Sequence, residues 1–321
     1  MKYISIGTLK KKFSTIALGT TYFGTAIEES LAFSLLDAFA DNGGTTIDTA
    51  RVYGQEAAGQ RSFSEEVVGR WLQAHGMSDT MTVVTKGAHP HLGGMEPRIS
   101  RDEIVSDIEA TQKALGLDSL DLWMLHRDDP SISMEKMSEI ITEVYKTVDV
   151  KHIGVSNWTH GRIEQARSLW AQPPIASEIQ YSLAPTTPER YSDPTLVCMN
   201  DEEFSYYREN QLPVFAFSSQ AKGFFSKGIE GGIESLPEKV RSRFVDERNL
   251  AMLDRVRSVC DQTGYSPAAV SLASVLNSPF PVVAIIGCSS LVQLLDSLRA
   301  SMVKLSPTME EQLLGGIYET A

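Results

Sequence analysis

The sequence has 321 residues, with 29 Lys and Arg against 41 Asp and Glu, so its formal net charge is −12 at pH 7. This acidic balance argues against nucleic acid or an anionic membrane as the main partner, because both are negatively charged. Hydrophobic residues make up 42% of the chain, enough for a sizeable core. No apolar run approaches the ~18 residues of a membrane span or resembles a signal peptide, so a cytoplasmic location is expected. Three widely spaced cysteines predict neither a disulfide framework nor a cysteine-ligated metal.

Short β-rich runs alternate with longer amphipathic segments along the whole chain. The short runs are continuously apolar, which is typical of parallel strands covered on both faces. Eight strand-then-helix units predict a single α/β domain over residues 1–321, a (β/α)8 TIM barrel, since no linker or change of composition divides the chain. The predicted strands are 14–18, 45–48, 81–85, 120–125, 153–155, 176–180, 214–217 and 282–286.

Local signals mark several helix ends. Ser62 and Ser100 each stand three residues before a Glu, which is the capping-box pattern, and Ser266 precedes a Pro at the first helical position. Gly43 and Gly116 follow amphipathic segments and are expected to end helices.

Three connections after strands exceed the usual length, namely 87–99, 182–202 and 218–248. Loops after strands surround the active face of this barrel, so these three are expected to be functional. At the start, 3–6 and 10–12 are predicted to form a β-hairpin that closes the opposite end.

Ionisable residues stand where three consecutive predicted strands stop. Asp48 ends the second strand, Lys86 follows the third and His126 follows the fourth. Tyr53 comes five residues after Asp48, so the loop can turn it back over the barrel mouth. A barrel therefore brings these four side chains together.

These four residue types suit proton donation to a carbonyl oxygen. A tyrosine phenol has a pKa of about 10, and a lysine ammonium nearby is expected to lower that pKa by about 1–3 units. A carboxylate would hold the lysine charged, and a histidine would hydrogen-bond the carbonyl or relay the proton. Since no side chain supplies hydride, a nicotinamide cofactor is implied. No GxGxxG follows any strand, so the sequence gives no support for a Rossmann fold.

In these motifs the sequence resembles the aldo-keto reductases, over essentially its whole length. The resemblance implies the (β/α)8 barrel, an NADPH-dependent reduction of an aldehyde or ketone to an alcohol, and a catalytic set of Asp48, Tyr53, Lys86 and His126 with Tyr53 as proton donor. The shared segments are 16–20, 48–50 with 52–54, 85–86, 125–126, 153–157 and 179–182.

The resemblance also implies a cofactor site. Ser156, Asn157 and Gln180 would bind the nicotinamide carboxamide, and Phe217 would stack on the ring. The other expected cofactor contacts are Gly19, Thr20, Thr21 and Asp48 on the pocket floor, Ser218, Ser219, Gln220, Lys222 and Gly223 at the pyrophosphate, and Ile286, Gly287, Ser289, Ser290 and Gln293 near the adenosine.

The choice of cofactor rests on that last segment. No Arg or Lys lies between Val283 and Leu298, and only hydroxyls, an amide and a helix N-terminus are available for a 2′-phosphate. NADP(H) is expected from the resemblance, with NAD(H) as the alternative.

The substrate is expected to be a small carbonyl compound, contacted by Tyr22, Tyr53, His126 and Trp158. Two other functions stay open. One is a regulatory or redox-sensing module that binds cofactor and turns over slowly. The other is a metal-dependent barrel hydrolase using His89 and His91, although no metal site is expected because no further ligand set ends the later strands.

Overall fold

Eight parallel strands form a closed barrel in the computed structural model of this protein, which describes residues 1–55, 61–91, 94 and 96–314. Each barrel strand pairs with the next one along the chain, and the last strand pairs with the first, which closes the barrel. The predicted (β/α)8 barrel is therefore confirmed. Its strands are β3 (Ile16–Gly19), β4 (Thr46–Asp48), β5 (Thr82–Gly87), β6 (Leu120–Leu125), β7 (Val150–Ser156), β8 (Ser177–Gln180), β9 (Val214–Phe217) and β10 (Val282–Ile286).

Helices surround the barrel, and their ends follow the local signals. The side chains of Ser62, Ser100 and Ser266 each accept a hydrogen bond from the backbone three residues on, as the capping patterns predict. No helix in the described part of the chain is long and apolar enough to cross a membrane. The helices are α1 (Glu29–Asp41), α2 (Phe63–His75), α3 (Arg101–Leu115), α4 (Met134–Thr147), α5 (His160–Leu169), α6 (Pro188–Tyr191), α7 (Asp201–Asn210), α8 (Phe224–Gly231), α9 (Glu238–Phe244), α10 (Glu247–Thr263), α11 (Pro267–Leu276), α12 (Leu291–Leu298) and α13 (Pro307–Leu314).

A small hairpin closes the bottom of the barrel, but its second strand differs from the prediction. β1 (Tyr3–Ile4) pairs with β2 (Phe13–Ser14), so residues 10–12 lie in the connection. Lys11 there is tied down, with Nζ 2.9 Å from Asp121 Oδ2 and bonded to two backbone carbonyls. The ring of Phe13 packs edge-on against Phe215 inside the barrel, 6.0 Å between centroids, and this apolar contact fixes the register.

The barrel interior changes from apolar to polar along the strand direction. Val84, Leu122 and Phe215 belong to one buried cluster inside the lower half. Because side chains alternate along a strand, Lys86 points inward one step above Val84. The Lys86 ammonium is therefore held on the side of this apolar cluster that faces the carboxyl ends of the strands.

The long connections carry structure of their own. The segment 182–202 contains α6, and 218–248 contains α8 and α9, so these are not plain loops. The two segments are joined by an ion pair between Arg190 and Asp246 at 3.2 Å, and the Arg243 guanidinium lies 4.2 Å from the Tyr191 ring centroid. They form one layer over the side of the mouth.

Replacing Gly69 by Ala tests the close packing of α2, the helix that follows the Tyr53 loop, on α3. An added Cβ would lie 2.8 Å from Leu115 Cα and closer still to Ala114 O. We expect Gly69→Ala to lower the free energy of unfolding in urea by about 2 kcal/mol. In the matched control Gly161→Ala, the Cβ meets nothing within 4 Å, so stability should rise by about 0.5 kcal/mol. Equal effects of the two changes would contradict this packing.

Candidate active site

A buried ion pair lies at the centre of the barrel mouth. Lys86 Nζ is 2.5 Å from Asp48 Oδ1 and donates to the backbone carbonyl of Thr49 at 3.0 Å. The Lys86 side chain has no solvent exposure. Burial opposes its charge, but the negative charges of Asp48 and Glu178 outweigh this and raise the pKa of Lys86 above its usual value. Lys86 is therefore a fixed positive charge in a water-poor site.

A second carboxyl group joins this pair. Glu178 on β8 places Oε2 3.2 Å from Lys86 Nζ, and its side chain is 2% exposed. Burial and the nearby charge of Asp48 raise the pKa of Glu178 to about 8. Burial likewise raises the pKa of Asp48, although Lys86 opposes it. One cation thus stands between two carboxyl groups.

Tyr53 lies over this cluster. Lys86 Nζ is 5.3 Å from the centroid of its ring, and the His126 ring meets it edge-on at 6.0 Å between centroids. Burial raises the pKa of Tyr53 to about 12, and Asp48 and Glu178 add to the rise, while Lys86 lowers it. The expectation that the ammonium makes this phenol more acidic than usual is therefore wrong for the free protein. The phenol is neutral and protonated at physiological pH.

His126 is a neutral imidazole in the same site. Burial, with His89, Arg127 and Lys86 nearby, lowers its pKa well below the usual value. Its Nδ1 atom is buried and has no hydrogen-bond partner in the described part of the chain. A neutral ring at this position offers one N–H for a ligand oxygen.

The residues expected to bind the nicotinamide carboxamide stand at the carboxyl ends of β7 and β8 and lie at the mouth of the barrel. Asn157, at φ +58°, donates from Nδ2 to His126 O at 3.3 Å and lies 3.0 Å from Ser156 Oγ. Gln180 donates to Ser182 Oγ at 3.2 Å, and it neighbours Phe217 in the strand register. The Phe217 ring is half-buried at the end of β9.

The segment expected at the pyrophosphate has an unusual backbone. Ser218, Ala221, Lys222 and Gly223 all have φ between +48° and +81°. Ser219 donates to Ile285 O at 2.7 Å and Gln220 to Ser297 Oγ at 3.0 Å, so these two side chains anchor the segment to the barrel. Two backbone N–H groups close tight turns within the segment, since Ala221 N donates to Ser218 O at 2.8 Å and Gly223 N donates to Gln220 O at 2.9 Å.

The segment after β10 is open. Ile286 is buried, while a Cβ added at Gly287 would meet nothing within 4 Å. Ser290 caps α12 by accepting from Gln293 N, and Gln293 Oε1 accepts from the N–H and hydroxyl of Ser289 at 2.9 and 3.0 Å. These groups fit a polar ligand without supplying a positive charge.

On the β3 side, the residues expected at the pocket floor lie next to Asp48 and Tyr53. Gly19 pairs with Asp48 in the sheet, and a Cβ there would lie 2.9 Å from Ile285 Cγ2. The Thr20 hydroxyl donates to Asp48 O at 2.9 Å, and Thr21 hydrogen-bonds Tyr53. Tyr22 is 58% exposed beside them. The polar residues at the ends of β7 and β8, the Phe217 ring and the polar segments after β9 and β10 all lie on one face of the barrel. Such an arrangement fits a dinucleotide that lies across the mouth.

Comparisons with known proteins agree with this geometry. The sequence model described as the aldo/keto reductase family matches residues 15–313. The chain belongs to the aldo-keto reductase family. It is therefore an NAD(P)H-dependent oxidoreductase.

Individual relatives cover most of the chain. The aldo-keto reductase YhdN of Bacillus subtilis is 30% identical over 70% of this chain and 64% of its own length. The 6-dehydroglucose reductase of Agrobacterium fabrum is 24% identical over 97% of this chain and 95% of its own. The aldo-keto reductase yakc [NADP(+)] of Schizosaccharomyces pombe is 24% identical over 91% of this chain and 83% of its own.

One residue expected on the substrate side of this aldo-keto reductase lies elsewhere. The Trp158 indole is fully buried in the hydrophobic core and packs edge-on against Trp170, 5.8 Å between centroids. Its Nε1 donates to Arg127 O at 3.3 Å. Trp158 thus supports the wall behind the mouth, because its ring is taken up by core contacts.

Sequence reasoning missed two neighbours of the site and left a third open. Glu178 was overlooked although it is the one charged residue of the predicted strand 176–180. Arg127 donates from Nε to Thr195 and pairs with Asp193 at 3.2 Å. His89, considered above as half of a candidate metal pair, lies 4.7 Å from the His126 ring, centroid to centroid. Within the described residues, no group of three His, Cys, Asp or Glu side chains could hold a metal.

The neutrality of His126 is directly testable. We expect its C2 proton signal in NMR to stay constant between pH about 5.5 and 8, because the buried ring next to three cationic or imidazole groups resists protonation. The signal is assigned by its loss in His126→Gln. A titration midpoint near 6.5 would show that the ring is charged in mildly acidic solution and would contradict the described environment.

Proposed function

We propose that this protein reduces the carbonyl group of a small aldehyde or ketone to an alcohol with NADPH, and that Tyr53 donates the proton. The observation that carries the proposal is the fully buried Lys86 ammonium, held 2.5 Å from Asp48 beneath the Tyr53 ring. Such a charge is costly to bury without a task for its field. Stabilising negative charge that develops on a reacting oxygen is such a task.

Each residue then has a role that follows from its position. The bound reduced nicotinamide supplies the hydride. Tyr53, which is protonated at neutral pH, gives its proton to the carbonyl oxygen as negative charge grows there. Lys86 stabilises the phenolate that is left, since its positive charge lowers the pKa of Tyr53. Asp48 keeps Lys86 oriented, and neutral His126 donates a hydrogen bond to the same oxygen.

The cofactor contacts are proposed for the residues that the fold gathers at the mouth. Ser156, Asn157 and Gln180 would orient the carboxamide, and Phe217 would face the nicotinamide ring. The segment 218–223 would hold the pyrophosphate through backbone N–H groups other than those of Ala221 and Gly223, which donate within the segment. Tyr22 and His89 stand on the open side, where a substrate would enter.

NADPH is the proposed cofactor, with a modest preference over NADH. Ser289 and Ser290 provide hydroxyls at the start of α12, and the Ser289 donors are turned toward Gln293 Oε1. A 2′-phosphate would replace that acceptor and gain charge-assisted hydrogen bonds. The relative yakc carries NADP(+) in its name, which supports the choice.

Replacing Tyr53 by Phe tests the proton donor. We expect turnover to fall by about 10²–10⁴-fold, because a general acid is lost, while the dissociation constant for NADPH changes less than about twofold. The readouts are loss of NADPH absorbance with a panel of aldehydes and ketones, and fluorescence titration of the cofactor. Tyr265→Phe, on the remote α10–α11 connection, is the control and should keep wild-type turnover. Full turnover in Tyr53→Phe would refute the assigned role.

Replacing Ser289 by Ala tests the cofactor choice. In the wild type, NADPH should bind more tightly than NADH by about tenfold, the worth of one charge-assisted hydrogen bond. Ser289→Ala should remove most of that difference by weakening NADPH, with NADH binding as the internal control. Equal dissociation constants for the two cofactors in the wild type would contradict the proposed preference.

A further inference from the structure

The second carboxyl group at the mouth has no role in the steps described so far. Glu178 lies on β8 two residues before Gln180 and on the same side of the strand. Its side chain is buried beside Lys86. The site therefore holds two carboxyl groups, Asp48 and Glu178, for one ammonium. If both were ionised, a net negative charge would be buried beneath Tyr53, which is unfavourable in a water-poor site.

The contacts of the two carboxyl groups are unequal. Asp48 Oδ1 accepts a short hydrogen bond from Lys86 at 2.5 Å, whereas Glu178 Oε2 lies 3.2 Å from the same nitrogen. That Oε2 atom is buried and makes no hydrogen bond with the described residues, so its contact with Lys86 is an ion pair without hydrogen-bond geometry. The two carboxyl groups are within hydrogen-bond reach of each other. A proton on Glu178 satisfies this geometry, because Glu178 can then donate to Asp48.

We propose that Glu178 is a positioning residue which shares a single proton with Asp48 and so keeps the Lys86 cluster electrically balanced while Tyr53 gives up its proton. The inference rests on the proposed function for its effect on catalysis. The shared proton itself is independent of that function, because it depends only on Glu178, Asp48 and Lys86.

A pH dependence follows from this arrangement. The charged and titratable groups that face Glu178 are Lys86 on β5, Asp48 on β4, Tyr53 after β4 and Arg127 after β6. Its neighbours in the strand register, Ser156 and Phe215, are neutral. Loss of the shared proton adds a negative charge that raises the pKa of Tyr53. Reduction should therefore slow as pH rises through the pKa of Glu178, near 8.

The variant Glu178→Gln tests the proposal, since it imitates the protonated side chain and cannot ionise. For the wild type we expect kcat/KM for carbonyl reduction to fall about tenfold between pH 7 and 9, as a group with a pKa of about 8 loses its proton. In Glu178→Gln the same quantity should change less than about twofold. The matched control is Glu65→Gln, which removes another fully buried carboxyl group with a pKa of about 7 that does not contact Lys86. It should keep the wild-type decline. A wild-type decline in Glu178→Gln would overturn the proposal.

A second measurement keeps the test valid if the variant does not fold. Infrared difference spectra of the protein between pH about 6 and 9 detect the carbonyl band of a protonated carboxyl group directly. In the Glu65→Gln background, we expect one such band to disappear near pH 8 as Glu178 ionises. Absence of any such band would overturn the shared proton whatever the activity is. Failure of the wild type to reduce any carbonyl compound would instead contradict the proposed function, and the infrared result would stand separately.

Discussion

The ion pair between Lys86 and Asp48 is the interaction on which the rest of the site depends. A lone ammonium in this apolar barrel would lose its proton or draw in water. Asp48 at 2.5 Å and the carbonyl of Thr49 at 3.0 Å replace its hydration shell with fixed protein oxygens. The electrostatic field above the cluster is therefore set before any ligand arrives, which is the condition for stabilising a short-lived charge.

The barrel stabilises this ion pair by placing its two members on neighbouring strands, so that each buried charge has the opposite charge beside it. Asp48 and Lys86 lie near the carboxyl ends of the adjacent strands β4 and β5, and side chains that point inward from neighbouring strands converge on the barrel axis. Below them, Val84, Leu122 and Phe215 exclude water from the lower barrel. The polar layer thus rests on an apolar support, and neither layer is useful alone: without the support the field would be screened, and without the polar layer the barrel would have no chemistry.

Most of the fold was predictable because its signals are local. Strand runs, the caps at Ser62, Ser100 and Ser266, and the count of eight units depend on near neighbours in sequence. The hairpin register was not predictable, since it is decided by Phe13 reaching Phe215 across about 200 residues of chain. The helices inside 182–202 and 218–248 were overlooked because they are short: α6 has 4 residues, α8 has 8 and α9 has 7, too few for a clear apolar period.

Site residues that stand where a strand ends could be predicted from the sequence, whereas the one inside a strand could not. Polar residues where apolar runs stop identified Asp48, Lys86 and His126, but Glu178 lies within its strand. Alternation along β8 turns Glu178 and Gln180 to the same side, so that either could have been considered. The error about the pKa of Tyr53 has a different origin, because the effect of the ammonium was counted but the burial of the phenol, which raises its pKa most, was not. Trp158 was misplaced since proximity to Asn157 in sequence says nothing about which way an indole turns.

Several backbone conformations at the mouth of the barrel are strained. Asn157 after β7, and Ser218, Ala221 and Lys222 after β9, are non-glycine residues with φ between +48° and +58°. Such conformations cost free energy and persist only where surrounding contacts enforce them. Here the contacts are visible: the Asn157 amide is held by His126 O and Val197 N, and Ser219 is held by Ile285 O. The strained residues follow the carboxyl ends of β7 and β9, on the face where Lys86 and Asp48 lie. A barrel under selection for stability alone would gain nothing from this, so the strain and the buried charge are best understood together, as the cost of a ligand site that is rigid before its ligands bind.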